Sequence, residues 1–169
     1  MLPNQNLIIL KDNYTLKFRE FNFKCSIGKN GVTTKKIEGD KKTPSGIFKI
    51  EHLYYREDRI TLPKIDLKCI KIRIRMGWCD DLNYPKKYNK LININENVGH
   101  EKLYRKDHKY DLLIPIKYNF KKRVLGKGSC IFIHLTHDYK PTFGCIALKK
   151  KDFLIMLKII NKNTKIKIY

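Results

Sequence analysis

Apolar and polar residues alternate with period two along most of this chain. In "CIKIRIRM" Ile70, Ile72, Ile74 and Met76 fall on one face and Lys71, Arg73 and Arg75 on the other. That pattern predicts a half-buried antiparallel strand with its charged face in water. "GIFKIEHLYY" and the closing "TKIKIY" read the same way. "YTLKFREFNFKC" also alternates but changes phase near Arg19–Glu20, which predicts a turn or bulge there. "KYDLLIPIKYN" is a strand carrying Pro115, expected at a sheet edge or kinked because proline cannot donate to the ladder. Only "KKDFLIMLKIINKN" has a clear helical period, with Phe153, Met156, Leu157 and Ile160 at i, i+3, i+4 and i+7. Lys149 stands where Ser or Thr would cap that helix better. "GHEKLYRKDH" predicts a short helical turn between strands, and "GKNG", "EGDKKTPSG", "LNYPKKYN" and "GKGS" predict turns. The expected fold is mainly β, with one C-terminal helix and short helical turns, in a single domain over residues 1–169.

Composition narrows the possible functions. With 42% hydrophobic and 31% charged residues the chain is globular rather than disordered. Its net charge of +21 suits an anionic partner, either nucleic acid or an envelope surface. However, lysine outnumbers arginine 30 to 7, the basic residues run from end to end, and no nucleic-acid-binding motif accompanies them. Nucleic acid is therefore not the expected partner. The five cysteines, an odd number without a CxxC pair, signal no disulfide framework. The opening "MLPNQNLIILKDNYTLKF" lacks the charged, apolar and small-residue regions of a signal peptide, and no apolar run reaches the ~20 residues of a membrane span. On these grounds alone the chain reads as cytosolic and reduced.

The chemistry is concentrated in "GKGSCIFIHLTHDYKPTFGCIALKKKDF". Residues 130–135 are expected to form a strand, with Cys130, Phe132 and His134 on one face and Ile131, Ile133 and Leu135 on the other. The loop "THDYKPTFG" then returns the chain to Cys145, eleven residues after His134. A free thiol has a pKa near 8.5 and is mostly protonated at neutral pH, so a nucleophilic Cys145 needs a neighbouring base. His134 could take that proton and later return it to a leaving amine, oriented by a backbone carbonyl. Gly144 leaves space for a carbonyl substrate, and the amides of Phe143 to Cys145 could face a developing oxyanion. Two other readings use the same residues. Cys145 could be a packing residue beneath the helix with His134 at the surface, or His134, His137 and Cys145 could ligate a metal. The metal set lacks a fourth ligand, since Cys130 lies ~13 Å back along the strand from His134. No cofactor is called for.

"IFIH…YKPTFGCIAL…DF" resembles the L,D-transpeptidase (YkuD-type) catalytic domain, in particular a compact branch with G-x-G-S-x-I-F-x-H followed by P-T-x-G-C-V/I-A-L. "CSIGKNG", "KIEGDKKTPSGIFKI", "YYREDR", "GWCDD", "HEKLYR" and "YD" follow that family's order, so the likeness spans most of the chain. The resemblance implies a β-sandwich-like fold capped by a helix. It also implies acyl transfer on peptidoglycan stem peptides. Cys145 would form a thioester by expelling a terminal D-alanine, with His134 as base and Gly144 ahead of the nucleophile. The thioester would pass to an amine of a neighbouring stem, or to water in an L,D-carboxypeptidase. A non-catalytic module holding anionic cell wall through its lysines is the alternative of a different class. Better-known members carry a second histidine where this chain has Phe143, and Arg or Asn where it has Ala147; the compact branch shares both departures. Thr142 matches the Ser/Thr opening the motif. Thr142, Phe143, Tyr139 and Trp78 are the expected substrate contacts, with a core or rim position the other reading of Trp78. Asp80 and Asp81 bind substrate amines or solvate a loop. Arg56, Arg59 and Arg105 pair with substrate carboxylates or with Glu57, Asp58 and Glu101. The implied location is the periplasm or cell envelope.

Overall fold

A computed structural model describes residues 6–94 and 97–169. Its strands are β1 (Leu7–Asp12), β2 (Thr15–Phe18), β3 (Phe21–Ser26), β4 (Val32–Thr33), β5 (Thr43–Pro44), β6 (Gly46–Lys49), β7 (Leu53–Tyr55) and β8 (Cys69–Lys71). They continue with β9 (Met76–Cys79), β10 (Leu91–Asn93), β11 (His100–Lys102), β12 (Leu112–Pro115), β13 (Phe132–Leu135) and β14 (Ile146–Leu148). Helix α1 (Lys150–Ile159) and β15 (Lys165–Ile168) complete the described residues. Ten strands form one sheet in the order β6-β15-β1-β2-β3-β14-β13-β12-β7-β8.

That order explains the curl of the sheet. Strands β6 and β7 are neighbours in sequence yet stand near opposite ends of the strand order. The short run between them is tied to β12, with Ile50 bridging Ile116, Glu51 N–H donating to the Pro115 carbonyl and Lys117 N–H donating to the Lys49 carbonyl. The sheet must therefore curve until its two ends meet along this one segment. Inside the curve lies the main apolar core, built from alternate residues of β1, β2, β3, β12, β13 and β14, and covered by α1 through Phe153, Met156, Leu157 and Ile160. These are the four residues at helical spacing, and each is nearly or fully buried.

One expectation holds and several others need correction. The phase change at Arg19–Glu20 is the two-residue turn of the β2–β3 hairpin, with Arg19 at φ 53°. "CIKIRIRM" is not one antiparallel strand. Its first residues form β8, which pairs in parallel with β7; the chain then turns, with Met76 N–H bonded to the Arg73 carbonyl, and restarts as β9. Ile72 is buried and Ile74 is exposed, because the turn breaks the alternation. Strand β12 is internal to the sheet, between β13 and β7, and Pro115 is tolerated because it closes the strand. "TKIKIY" pairs in parallel with β1 as well as antiparallel with β6. The short helical turn expected in "GHEKLYRKDH" is instead strand β11, paired with β9 in a small three-stranded sheet.

Phe153 is fully buried where α1 meets the sheet. Phe153→Ala is expected to lower unfolding stability by about 3–5 kcal/mol, read from urea denaturation.

Candidate active site

The site is set by a parallel pairing. Strand β13 runs beside β14 with Ile133 opposite Ile146, His134 opposite Ala147 and Leu135 opposite Leu148. Extending that register by one residue puts Cys145 beside Phe132. Successive side chains alternate faces, so Phe132, His134, Cys145 and Ala147 share one face of the sheet. His134 and Cys145 are diagonal neighbours there, with about 8 Å between their Cα positions from the strand spacing and rise. Only the C-terminal part of the expected 130–135 strand forms. Cys130 has φ 53° and stands before the strand, in a left-handed turn that few residues other than glycine adopt.

His134 is 6% exposed. Its Nδ1 lies 2.8 Å from its neighbour Leu135's carbonyl oxygen, which can only accept, so Nδ1 carries the proton and Nε2 has a free lone pair. The orienting group is thus a backbone carbonyl. Burial pushes the imidazole pKa down to about 4, and the positive charges of Lys109 and Arg105 act in the same direction. The ring is held edge-on against Tyr110, with centroids 5.3 Å apart. His137 faces His108 instead, at 6.4 Å, and the described residues include no group of three or more His, Cys, Asp or Glu side chains placed to hold a metal ion.

Cys145 is 8% exposed. Its thiol donates to the Cys130 carbonyl at 3.1 Å and accepts from Phe132 N–H at 3.4 Å. Burial raises the thiol pKa to about 12, opposed by the Phe132 N–H, which favours thiolate. At rest the pair is therefore neutral thiol and neutral imidazole. The left-handed turn at Cys130 supplies the carbonyl that holds the thiol proton.

The turn carrying Cys145 is built from hydroxyls. Thr142 Oγ1 donates to the Cys145 carbonyl at 2.6 Å and accepts from Gly144 N–H at 3.1 Å. The Gly144 amide is thereby committed within the turn, which leaves Phe143 and Cys145 of the three amides expected to face an oxyanion. Thr142 also exchanges backbone bonds with Ile27 and Lys29, which docks the turn beside β3. Beneath it, buried Thr43 donates its hydroxyl to the Gly144 carbonyl at 2.9 Å and accepts from Gly28 N–H at 2.9 Å. Glycine is required at 144 because φ is +135° and a Cβ would lie 2.9 Å from the Lys42 carbonyl oxygen. The "GDKKTPSG" segment is thus the floor under the turn that carries Cys145.

His134, Cys145, Thr142 and Phe143 line one cavity of about 570 Å³. Phe143 is 78% exposed at its mouth, with Lys41 Nζ 5.3 Å from the ring centroid. Two expected substrate contacts lie elsewhere. Tyr139 does not line the cavity; its ring is flanked by Lys24 and Lys149, and its φ of 56° belongs to the loop after β13. Trp78 is a core residue packed on Tyr54, Phe120 and Phe132, with its indole N–H donated to Asn89. Arg56 and Arg59 are engaged by Asp58 and Asp111, the structural pairing, and neither lines the cavity. Asp81 binds the amides of Asn83 and Gly99, so it holds a loop as expected.

The cavity also brings in Glu38, Glu101, Lys109 and Tyr110, whose places the sequence did not reveal, and Asp80, for which the sequence left a substrate contact and a loop position open. They come from three separated segments. The local signal was membership in "KIEGD" for Glu38, "GWCDD" for Asp80, "HEKLYR" for Glu101 and "YD" for Tyr110, whereas Lys109 lies outside all four.

A family model for the YkuD L,D-transpeptidase catalytic domain matches residues 2–168. The chain belongs to that family. Among solved structures it is similar to Bd1075 of Bdellovibrio bacteriovorus, at 16% identity and a TM-score of 0.51 over 98% of this chain and 48% of that one. It is also similar to the helical cell shape determining protein Pgp2 of Campylobacter jejuni, at 20% identity and a TM-score of 0.49 over 96% of this chain and 46% of that one. A third likeness is to L,D-transpeptidase 1 of Mycobacterium tuberculosis, at 13% identity and a TM-score of 0.39, over 96% of this chain and 59% of that one. The chain thus spans about half the length of the structures it matches. The first likeness supports the fold: mostly β, a curled sheet and one helix. No curated protein matches the chain.

Two outcomes follow from this geometry. Thr43→Val removes a hydroxyl that serves two buried backbone groups and is expected to cost about 1–3 kcal/mol in urea unfolding, with Thr43→Ser restoring most of it. Acid is expected to destabilise the fold through His134. The folded ring titrates near 4 and the unfolded ring near 6.5, so the unfolded state binds the extra proton between those values. Stability is then lost as pH falls from 6.5 towards 4, by about 3 kcal/mol at the limit. A His134→Gln variant should lose less over that range, and equal losses in both proteins would refute the assignment of a buried neutral ring.

Proposed function

We propose that this chain is a cysteine acyl-transferase acting on peptidoglycan stem peptides, with Cys145 as nucleophile and His134 as general base and acid. The observation that carries the reading is the β13–β14 register, which sets an imidazole with a free Nε2 and a thiol on one sheet face at one cavity. Membership in the YkuD L,D-transpeptidase family supplies the reaction class and the peptidoglycan substrate. In this reading the thiol leaves the Cys130 carbonyl by rotation about χ1 and passes its proton to His134 Nε2. A neutral imidazole is the form a base requires. The Phe132 N–H favours the thiolate until it attacks the carbonyl carbon of the donor peptide. The tetrahedral oxyanion then faces the Phe143 and Cys145 amides. As the C–N bond breaks, His134 returns its proton to the departing amine, leaving a thioester on Cys145. An amine of a second peptide takes the acyl group in transpeptidation, and water takes it in carboxypeptidase action. Phe143, exposed at the mouth, offers the incoming chain an apolar platform. The place of action is the cell envelope, where the lysine-rich surface suits anionic polymer.

Intact-mass measurement after exposure to a carbapenem, an acylating mimic, tests the assignment. One covalent adduct is expected on the wild type and none on Cys145→Ala. His134→Ala, checked for folding by circular dichroism, should acylate about 10²–10⁴ times more slowly. An adduct that persists in Cys145→Ala removes this cysteine as nucleophile.

A further inference from the structure

Among the described residues one lysine is buried. Lys36 is 3% exposed, whereas the other described lysines are all partly or fully exposed. Its ammonium donates to Asp40 Oδ1 at 2.5 Å and to the Ile37 carbonyl at 2.9 Å. A buried ion pair adds little stability, because both charges must leave water. Its place in the fold points to another use.

The two ends of this side chain meet the two supports of Cys145. Along its stem Lys36 packs on Gly128, where a Cβ would lie 2.8 Å from Lys36 Cγ. Two residues further on, the Cys130 carbonyl accepts the Cys145 thiol. At the tip, Asp40 also accepts from the amides of Ile37 and Lys42, at 2.9 and 2.8 Å. Lys42 and Thr43 form the floor on which Gly144 rests. Other bonds tie the same two segments: Glu38 N–H donates to the Gly126 carbonyl, and the Ser129 hydroxyl donates to Glu38. The Lys36 side chain thus reaches from the loop that holds the thiol to the floor beneath its turn.

The charge also has a direction. Burial holds His134, Cys130 and Tyr110 neutral at pH 7. Burial is the main cause of the raised pKa of Cys145, and Glu101 adds to it. The Phe132 N–H and the Lys36 ammonium act the other way. Within the ion pair it is the cation that acts on Cys145, whereas Asp40 acts on Tyr118.

We propose that Lys36 is a positioning residue for Cys145: it braces the loop that holds the thiol, fixes the floor through Asp40, and favours the thiolate with its positive charge. A cation beside the sulfur eases the transfer of its proton to a neutral imidazole. The inference rests on the reading of Cys145 as the nucleophile.

The test measures alkylation of Cys145 by iodoacetamide, an uncharged probe, through mass spectrometry of the peptide that contains it. Lys36→Met keeps the stem and removes the charge. Lys36→Met combined with Asp40→Asn leaves no carboxylate unpaired, and it carries the test should the single variant not fold by circular dichroism. Both are expected to react about 3–10-fold more slowly than the wild type at about pH 8, because the rate follows the thiolate fraction. Lys36→Arg, which retains the charge, should recover most of the rate. A purely structural role predicts the opposite sign, since a loosened turn exposes the thiol to water and speeds its reaction. Unchanged or faster alkylation therefore overturns the proposal, as does Lys36→Arg reacting as slowly as Lys36→Met. Carbapenem acylation of the same proteins separates this inference from the reading beneath it. A wild type and Lys36→Met that acylate equally fast keep the nucleophile and remove Lys36. A wild type that does not acylate removes the acyl-transfer reading, while the alkylation rates still decide whether Lys36 acts on the thiol.

Discussion

Everything at the candidate site depends on the parallel pairing of β13 with β14. A parallel neighbour cannot be reached by a tight hairpin, so the chain must leave Leu135, travel back outside the sheet and re-enter at Cys145. That return loop contains no helix. It is held instead by the Thr142 hydroxyl within the turn and by the Thr43 hydroxyl beneath it. Both hydroxyls act on backbone, so the position of Cys145 is fixed by groups that never touch the sulfur. Gly28 and Gly144 permit the close approach, each with a backbone carbonyl where a Cβ would have to be.

Burial then sets the resting chemistry. The same face that brings His134 and Cys145 together removes both from water, so each prefers its neutral form. The arrangement keeps the proton on sulfur until another molecule enters. The carbonyl of Cys130 and the amide of Phe132 hold the thiol against the strand, and the free lone pair of His134 waits two positions along the next strand.

Much of this was legible in the sequence, and the limits were physical. Helix α1 was evident because its four apolar residues must face a core at a period no strand shares. The β2–β3 hairpin was evident because a change of phase needs a turn. Cys145, His134, Thr142 and Phe143 could be grouped from the sequence because they lie in one short segment, and all four line one cavity. Tyr139 was misplaced, and Trp78 was left between a substrate contact and a core position, because residue type says nothing of which way a loop or sheet edge turns. Glu38, Glu101 and Tyr110 were missed, and Asp80 was left between two readings, because these residues converge only after the sheet curls, and alternation within a strand carries no information about that closure.

The curl has a consequence for how the chain comes to be folded. Strand β15, from the end of the described chain, lies inside the sheet between β1 and β6 rather than at an edge. Until it is synthesised, β1 and β6 each present an unpaired row of amides and carbonyls, the template on which chains join to one another. Its pairing with β1 spans nearly the full described length, so its loop entropy must be met last and slowly. A ribosome must therefore release the chain as far as Ile168 before the sheet can shut, and a chain stopped short of Lys165 is left with two sticky edges where the folded sheet has a seam.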